Sequence, residues 1–257
     1  MTAKNKQKTC YFVVKNKPNI AEKGHCMIVT IGAIKGGCGK SLIATNLTVL
    51  RSQEGKKVLL VDGDEQGTAG DWSDHRMGLG INTPWTAIRL RANAVRTEVL
   101  KLMPNYNDII IDCGGRDTSS LRAALTVSDI FLVPFQPKSF DIWTAVKVSE
   151  LIQEVSILNP NLKTFAFINC AISRGSDNED AKKILSQVQG LTLLPQTIGL
   201  RKAFSNATAE GLGVTEMKKD KKAVSEINAL CNAIFNTKDI DVLTYQMNHK
   251  NVDNLTA

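Results

Sequence analysis

Aromatic side chains are scarce in this 257-residue chain, at 5%, and there are only three histidines. Those histidines, His25, His75 and His249, lie too far apart to offer zinc-ligand spacing. The six cysteines, at positions 10, 26, 38, 113, 170 and 231, include no C-x-x-C pair. That scatter weighs against an iron–sulfur cluster and fits thiols kept reduced inside a cell. No apolar run approaches the roughly 20 residues that a membrane-spanning helix needs. The lysine-rich beginning lacks both the uninterrupted apolar stretch and the small-residue cleavage site of a secretory signal. The chain is therefore expected in the cytoplasm.

What is plentiful is aliphatic material. Apolar residues make up 43% of the chain, enough for a sizeable core. An aliphatic-rich, aromatic-poor composition suits a parallel sheet covered by helices on both faces. The net charge of +7 is concentrated at one end: residues 1–26 carry six lysines against one glutamate, which leaves the remainder at only +2. That basic leader is expected to be poorly ordered, either an upstream extension with no part in the fold or an arm that touches DNA. Residues 27–235 are expected to form one domain, and 236–257 a polar tail.

Short apolar runs alternate with helical stretches, the pattern of βαβ units wound into a doubly wound α/β sheet. Strands are expected at 29–33, 57–62, 85–90, 108–112, 130–134 and 164–169, with a further short apolar run at 191–194. Helices are expected at about 41–53, 94–103, 141–158, 178–189, 202–210 and 222–235. In such a sheet ligands gather at the carboxyl ends of the strands, so the polar residues there are the candidates for chemistry.

After the first strand comes Lys35-Gly36-Gly37-Cys38-Gly39-Lys40-Ser41, leading into a helix. A strand, a glycine-rich turn and a helix start make a phosphate cradle, because backbone N–H groups and the helix N-terminus converge on one anion. In such a cradle Lys40 reaches the β- and γ-phosphates and the Ser41 hydroxyl ligates Mg²⁺. After the second strand comes Asp62-Gly63-Asp64-Glu65-Gln66, and after a later one Asp112-Cys113-Gly114-Gly115. Carboxylates at the ends of separate strands beside a phosphate loop suit the placing of a cation and of an attacking water.

The ordinary P-loop has glycine where this chain has Ile34, and this chain adds Lys35 at the loop's start. The combination K-G-G-x-G-K-[ST] resembles the deviant P-loop of the ParA/MinD family of positioning ATPases. The resemblance spans residues 27–235 and is carried most specifically by this loop and the D-x-D-x-Q run. It implies ATP and Mg²⁺ as ligands, with Gly36, Gly37, Cys38, Gly39, Lys40, Ser41 and Leu42 around the phosphates. It further implies that Asp64 orients the attacking water, that Asp62 and Asp112 serve the Mg²⁺ with Ser41, and that Asn169 reads the adenine edge. Lys35 would cross a homodimer interface to the partner subunit's ATP. Two departures stand out: Glu65 replaces the usual proline of D-x-D-P-Q, and Gly114 and Gly115 replace prolines after the Walker B aspartate, which makes the second switch more pliable.

The family acts either on DNA or on membrane. Residues 236–257 carry two lysines, three aspartates and no strong apolar stripe, which disfavours a membrane-binding helix. Nonspecific DNA, held through its phosphates, is the expected surface, with Arg201, Lys202, Lys218, Lys219, Lys221 and Lys222 as candidate contacts. The expected function is a nucleoid-associated partitioning ATPase that works with a ParB-like adaptor. Positioning of a protein cargo through a cargo adaptor is the alternative, and a metabolic or regulatory P-loop enzyme is the reading from a different class.

Overall fold

Among the described residues, seven parallel strands form one sheet in the order β3-β2-β4-β1-β5-β6-β7. The computed structural model describes residues 26–115, 118–137, 142–217 and 219–236. The expected leader and tail thus fall, apart from Cys26 and Asn236, outside the described residues, as does Lys218.

In chain order the strands are β1 (Met27–Ile31), β2 (Val58–Asp62), β3 (Thr86–Arg89), β4 (Asp108–Asp112), β5 (Ile130–Phe135), β6 (Lys163–Ala171) and β7 (Thr192–Gly199). The helices are α1 (Lys40–Gln53), α2 (Thr68–Gly78), α3 (Asn93–Leu102), α4 (Ser119–Leu125), α5 (Ile142–Ser156), α6 (Asp177–Leu185), α7 (Lys202–Ala209), α8 (Val214–Met217) and α9 (Lys221–Phe235). Every expected strand and helix is present within a few residues of its place, and the apolar run at 191–194 belongs to the longer β7. Helices α2, α4 and α8 are additions.

The central strands are apolar on both sides because both faces are covered, and successive side chains point to opposite faces. Val29 and Ile31, Val58 and Leu60, Ile130 and Leu132, and Phe165 and Phe167 meet α1, α2, α7, α8 and α9 in one core. Ile28, Leu59 and Val61, Ile109 and Ile111, Phe131 and Val133, and Ala166 and Ile168 meet α3 to α6 in the other. A one-residue slip of any strand would exchange its two sets of contacts.

The order reverses around β1: α1 carries the chain towards β2 on one side, and α5 carries it from β5 towards β6 on the other. The loops after β1 and β5 diverge there, which opens the crevice where doubly wound sheets hold ligands. Helix α2 is pinned by its buried Arg76. The guanidinium donates to both carboxylate oxygens of Glu216 in α8 (2.7 and 2.8 Å) and to the carbonyls of Asn82 and Gly211. It lies over the Trp85 ring, which itself stacks on Trp72.

Candidate active site

The β1–α1 loop is shaped to leave backbone donors free. Gly39 precedes α1 at φ 85°, and no side chain caps the helix. No acidic residue stands in the first turn either, so the helix N-terminus keeps its positive potential for an anion. Gly39 tolerates no side chain: a Cβ there would lie 2.4 Å from the Asn169 amide nitrogen. That nitrogen donates to the Cys38 carbonyl at 2.7 Å. Asn169 is 2% exposed, so the structure places it beneath the loop as a brace, and its amide nitrogen is turned to the phosphate loop. Gln136, from the end of β5, holds the opposite flank by donating to the Gly37 carbonyl at 2.7 Å.

Lys40 is buried at the start of α1 and acts electrostatically on Asp112. Leu42 is half-buried, and its carbonyl accepts from Thr45 and Asn46 within α1. Lys35, Gly36 and Gly37 are exposed at the mouth of the loop. A shallow hollow beside it is lined by Lys35, Gly36, Cys38, Phe135, Gln136 and Thr144.

Asp112 ends β4 in the floor of the site with no exposed surface. Among the described residues, neither of its carboxylate oxygens has a hydrogen-bonding partner. The Ser41 hydroxyl acts on it favourably without closing a hydrogen bond of normal geometry. Burial pushes the Asp112 carboxyl up to about 7, and the neighbouring Asp62 and Asp64 add to the rise while Ser41 and Lys40 oppose it. An orphaned carboxylate buried beside a hydroxyl and two further aspartates is a poor arrangement by itself. It fits a hard divalent cation with oxygen ligands, so Ser41 and Asp112 are the residues here that would hold Mg²⁺.

Asp62 is equally buried but fully engaged. Its Oδ1 accepts from the Asp64 N–H at 3.1 Å, and its Oδ2 accepts from the Gly70 N–H at 2.7 Å. Burial raises its pKa in spite of those bonds and of Arg91 nearby. The geometry makes Asp62 the organiser of the 62–70 turn, with its carboxylate committed to backbone. Asp64, half-buried at the tip, accepts from the Gln66 N–H at 3.1 Å. It faces the segment after Asp112: a Cβ on Gly114 would lie 3.1 Å from Asp64 Oδ1. Gly115 lies against the phosphate loop, where a Cβ would come within 2.7 Å of the Gly36 Cα. Gly114 and Gly115 therefore permit close packing of the segment after Asp112 on both the Asp62–Asp64 turn and the β1–α1 loop.

The loop, Asp112 and the Asp62–Asp64 turn thus converge at the carboxyl edge of the sheet. Residues 29–214 match the CobQ/CobB/MinD/ParA nucleotide binding domain. The chain belongs to this nucleotide-binding family. Among its relatives is the maintenance of carboxysome distribution protein A of Halothiobacillus neapolitanus, 27% identical over 209 residues, covering 80% of this chain and 95% of that protein. Protein IncC of Escherichia coli is 24% identical over 243 residues, covering 80% of this chain and 68% of that protein. The fold matches that of a putative plasmid partition protein from Borrelia burgdorferi B31 bound to AMPPNP, with a TM-score of 0.64 at 21% identity over 83% of this chain and 99% of that one.

The candidate DNA contacts lie at and after the end of β7, around the starts of α7 and α9. Arg201 makes a two-pronged pair with Glu226 (2.9 and 2.7 Å), which also accepts from the Gly199 N–H. The hydrogen bonds that it donates to Glu226 hold the Arg201 pKa above its usual value. Its guanidinium thereby ties β7 and α7 to α9. Lys202, Lys219, Lys221 and Lys222 are exposed around the starts of α7 and α9. Asp220, interrupting the cluster, caps α9 by accepting from the Lys222 and Ala223 N–H groups.

Arg91, Ala92 and Ser120 belong to no motif in the sequence, yet they adjoin the site. Arg91 donates to the Asp62 carbonyl at 2.7 Å, and the Ala92 N–H donates to the Ser120 hydroxyl at 2.8 Å. Ala92 sits at φ 49°, ψ −132°, a conformation that costs a residue with a Cβ on the order of 1–3 kcal/mol. The available signal was position: Arg91 lies just past the carboxyl end of a parallel strand.

Proposed function

We propose that the chain is a Mg²⁺-dependent ATPase of the ParA type that works as an ATP-gated homodimer on DNA. The observation that carries this reading is the buried, unpartnered Asp112 carboxylate beside Ser41, at the foot of a loop bearing both Lys35 and Lys40. In this reading the loop N–H groups and Lys40 bind the ATP phosphates. Ser41 and Asp112 would hold Mg²⁺, which would supply charge neutralisation for the phosphates. Asp64, at the tip of a turn organised by Asp62, orients the attacking water. Lys35, exposed at the mouth of the loop, reaches the nucleotide of the partner subunit, so the γ-phosphate holds the dimer and its loss releases it.

The dimer grips nonspecific DNA through Lys202, Lys219, Lys221 and Lys222, with Lys218 as a further candidate. The protein then acts in the cytoplasm on the nucleoid, where a ParB-like adaptor links it to plasmid or chromosomal DNA. The second reading, a protein cargo reached through a cargo adaptor, is favoured by the 27% identity to a protein named for carboxysome distribution.

The test is binding to random-sequence duplex DNA with ATP and with ADP across a salt series. The proposal expects tight, salt-sensitive binding with ATP only. Equal binding in both nucleotide states, or none in either, would remove the DNA-tethered switch.

A further inference from the structure

We infer that the turn between β3 and α3, residues 90–92, is a brace joining the two nucleotide-facing segments, with Arg91 as a positioning residue for hydrolysis. The inference rests on the ATPase reading and concerns how that site is kept in order. Two donors from this turn meet one acceptor: the Leu90 N–H (3.0 Å) and Arg91 Nη1 (2.7 Å) both donate to the Asp62 carbonyl. The same nitrogen donates to the Leu90 carbonyl at 2.9 Å and lies 4.0 Å from Asp62 Oδ1. Asp62 in turn accepts from the Asp64 and Gly70 N–H groups, so Arg91 acts on the whole 62–70 turn through it.

The next residue holds the other segment. The Ala92 N–H donates to Ser120, a buried hydroxyl in the first turn of α4, directly after the stretch that follows Asp112. Ala92 keeps a positive φ of 49° while making that bond. A residue with a Cβ is held there only when its surroundings over-determine it, and such strain gathers where geometry matters for function. The two segments also touch directly, through the Gly63 N–H on the Asp112 carbonyl at 2.7 Å. A turn bonded to both, with a strained residue making the second bond, prevents either segment from shifting alone.

The test uses the full chain and the variants Arg91→Ala, Arg91→Lys, Ser120→Ala and Arg91→Ala/Ser120→Ala. Amide hydrogen exchange without nucleotide should accelerate across residues 62–70 in Arg91→Ala and also in Ser120→Ala, by about tenfold, with β1 and β5 unchanged. Ser120 makes no bond to that turn, so its effect there reports the brace. The double variant should exchange no faster than the more affected single one, as expected for one shared unit. With Mg²⁺-ATP, Arg91→Ala should lower kcat about tenfold while the affinity for a non-hydrolysable ATP analogue stays within about threefold, and Arg91→Lys should recover part of kcat. Additive exchange effects, no change over 62–70, or analogue affinity falling in step with kcat would overturn the inference. A wild-type chain that bound no ATP would overturn the ATPase reading instead, while the exchange data would still judge the brace.

Discussion

Replacing Asp112 with asparagine should stabilise the nucleotide-free protein at alkaline pH. Burial lifts the Asp112 carboxyl from 3.8 to about 7. At 1.36 kcal/mol per pKa unit, that rise amounts to a penalty of about 4 kcal/mol on the folded state when the group is ionised. Because the folded pKa is raised, stability is highest below pH 4 with respect to this group, and it is lost as pH climbs through 7. The substituted asparagine would carry no charge but would leave an amide without partners in the same place, offsetting about 1–3 kcal/mol. The net gain at pH 8 in chelator is about 1–3 kcal/mol, or a Tm higher by roughly 3–10 °C for a domain of this size. Thermal unfolding of both proteins from pH 5 to pH 8.5 measures it, and the gap should close towards pH 5. With Mg²⁺ and an ATP analogue the order should invert, since the asparagine keeps the space but loses the charge that suits the cation. A variant less stable than wild type at pH 8 in chelator would refute the reasoning, because it would mean that the carboxylate is ionised and paired in the free protein.

Asn169→Ala removes the donor beneath the Cys38 carbonyl and should weaken binding of an ATP analogue by about tenfold in calorimetry, reflecting about 1–2 kcal/mol of lost loop support. Arg201→Ala should lower the urea midpoint by breaking the pair with Glu226 while leaving the salt slope of DNA binding unchanged. The triple change Lys219→Ala/Lys221→Ala/Lys222→Ala should do the reverse, flattening the slope by about 0.9 for each phosphate no longer neutralised. Arg76→Ala leaves Glu216 and two carbonyls without their shared donor and should cost about 3–5 kcal/mol in chemical denaturation.

The phosphate loop was legible in the sequence because its chemistry fixes residue types at fixed spacing. The positions of Asp62, Asp64 and Asp112 at strand ends were legible because buried parallel strands announce themselves, whereas the bonds from the Asp64 and Gly70 N–H groups to the Asp62 carboxylate were not. Helix α2 was not, since Thr68–Gly78 mixes aspartates, glycines and an arginine, and its fixed position depends on Arg76 reaching Glu216, 140 residues away. Helices α4 and α8, of seven and four residues, are too short to display a period. Strand β7 continues through Pro195 and Gln196, polar or ring-constrained residues that are tolerated at the edge of a sheet. The pair between Arg201 and Glu226 was not legible because Glu226 stands 25 residues further on, in another element.

The central claim is that this site is an ATP-gated switch of assembly state. The solution mass of Asp64→Ala, measured by light scattering with Mg²⁺-ATP and with Mg²⁺-ADP, tests it most directly. The protein should be a dimer with ATP and a monomer with ADP, and a monomer in both when Lys35 is also changed to alanine. The same mass in both nucleotides would contradict it.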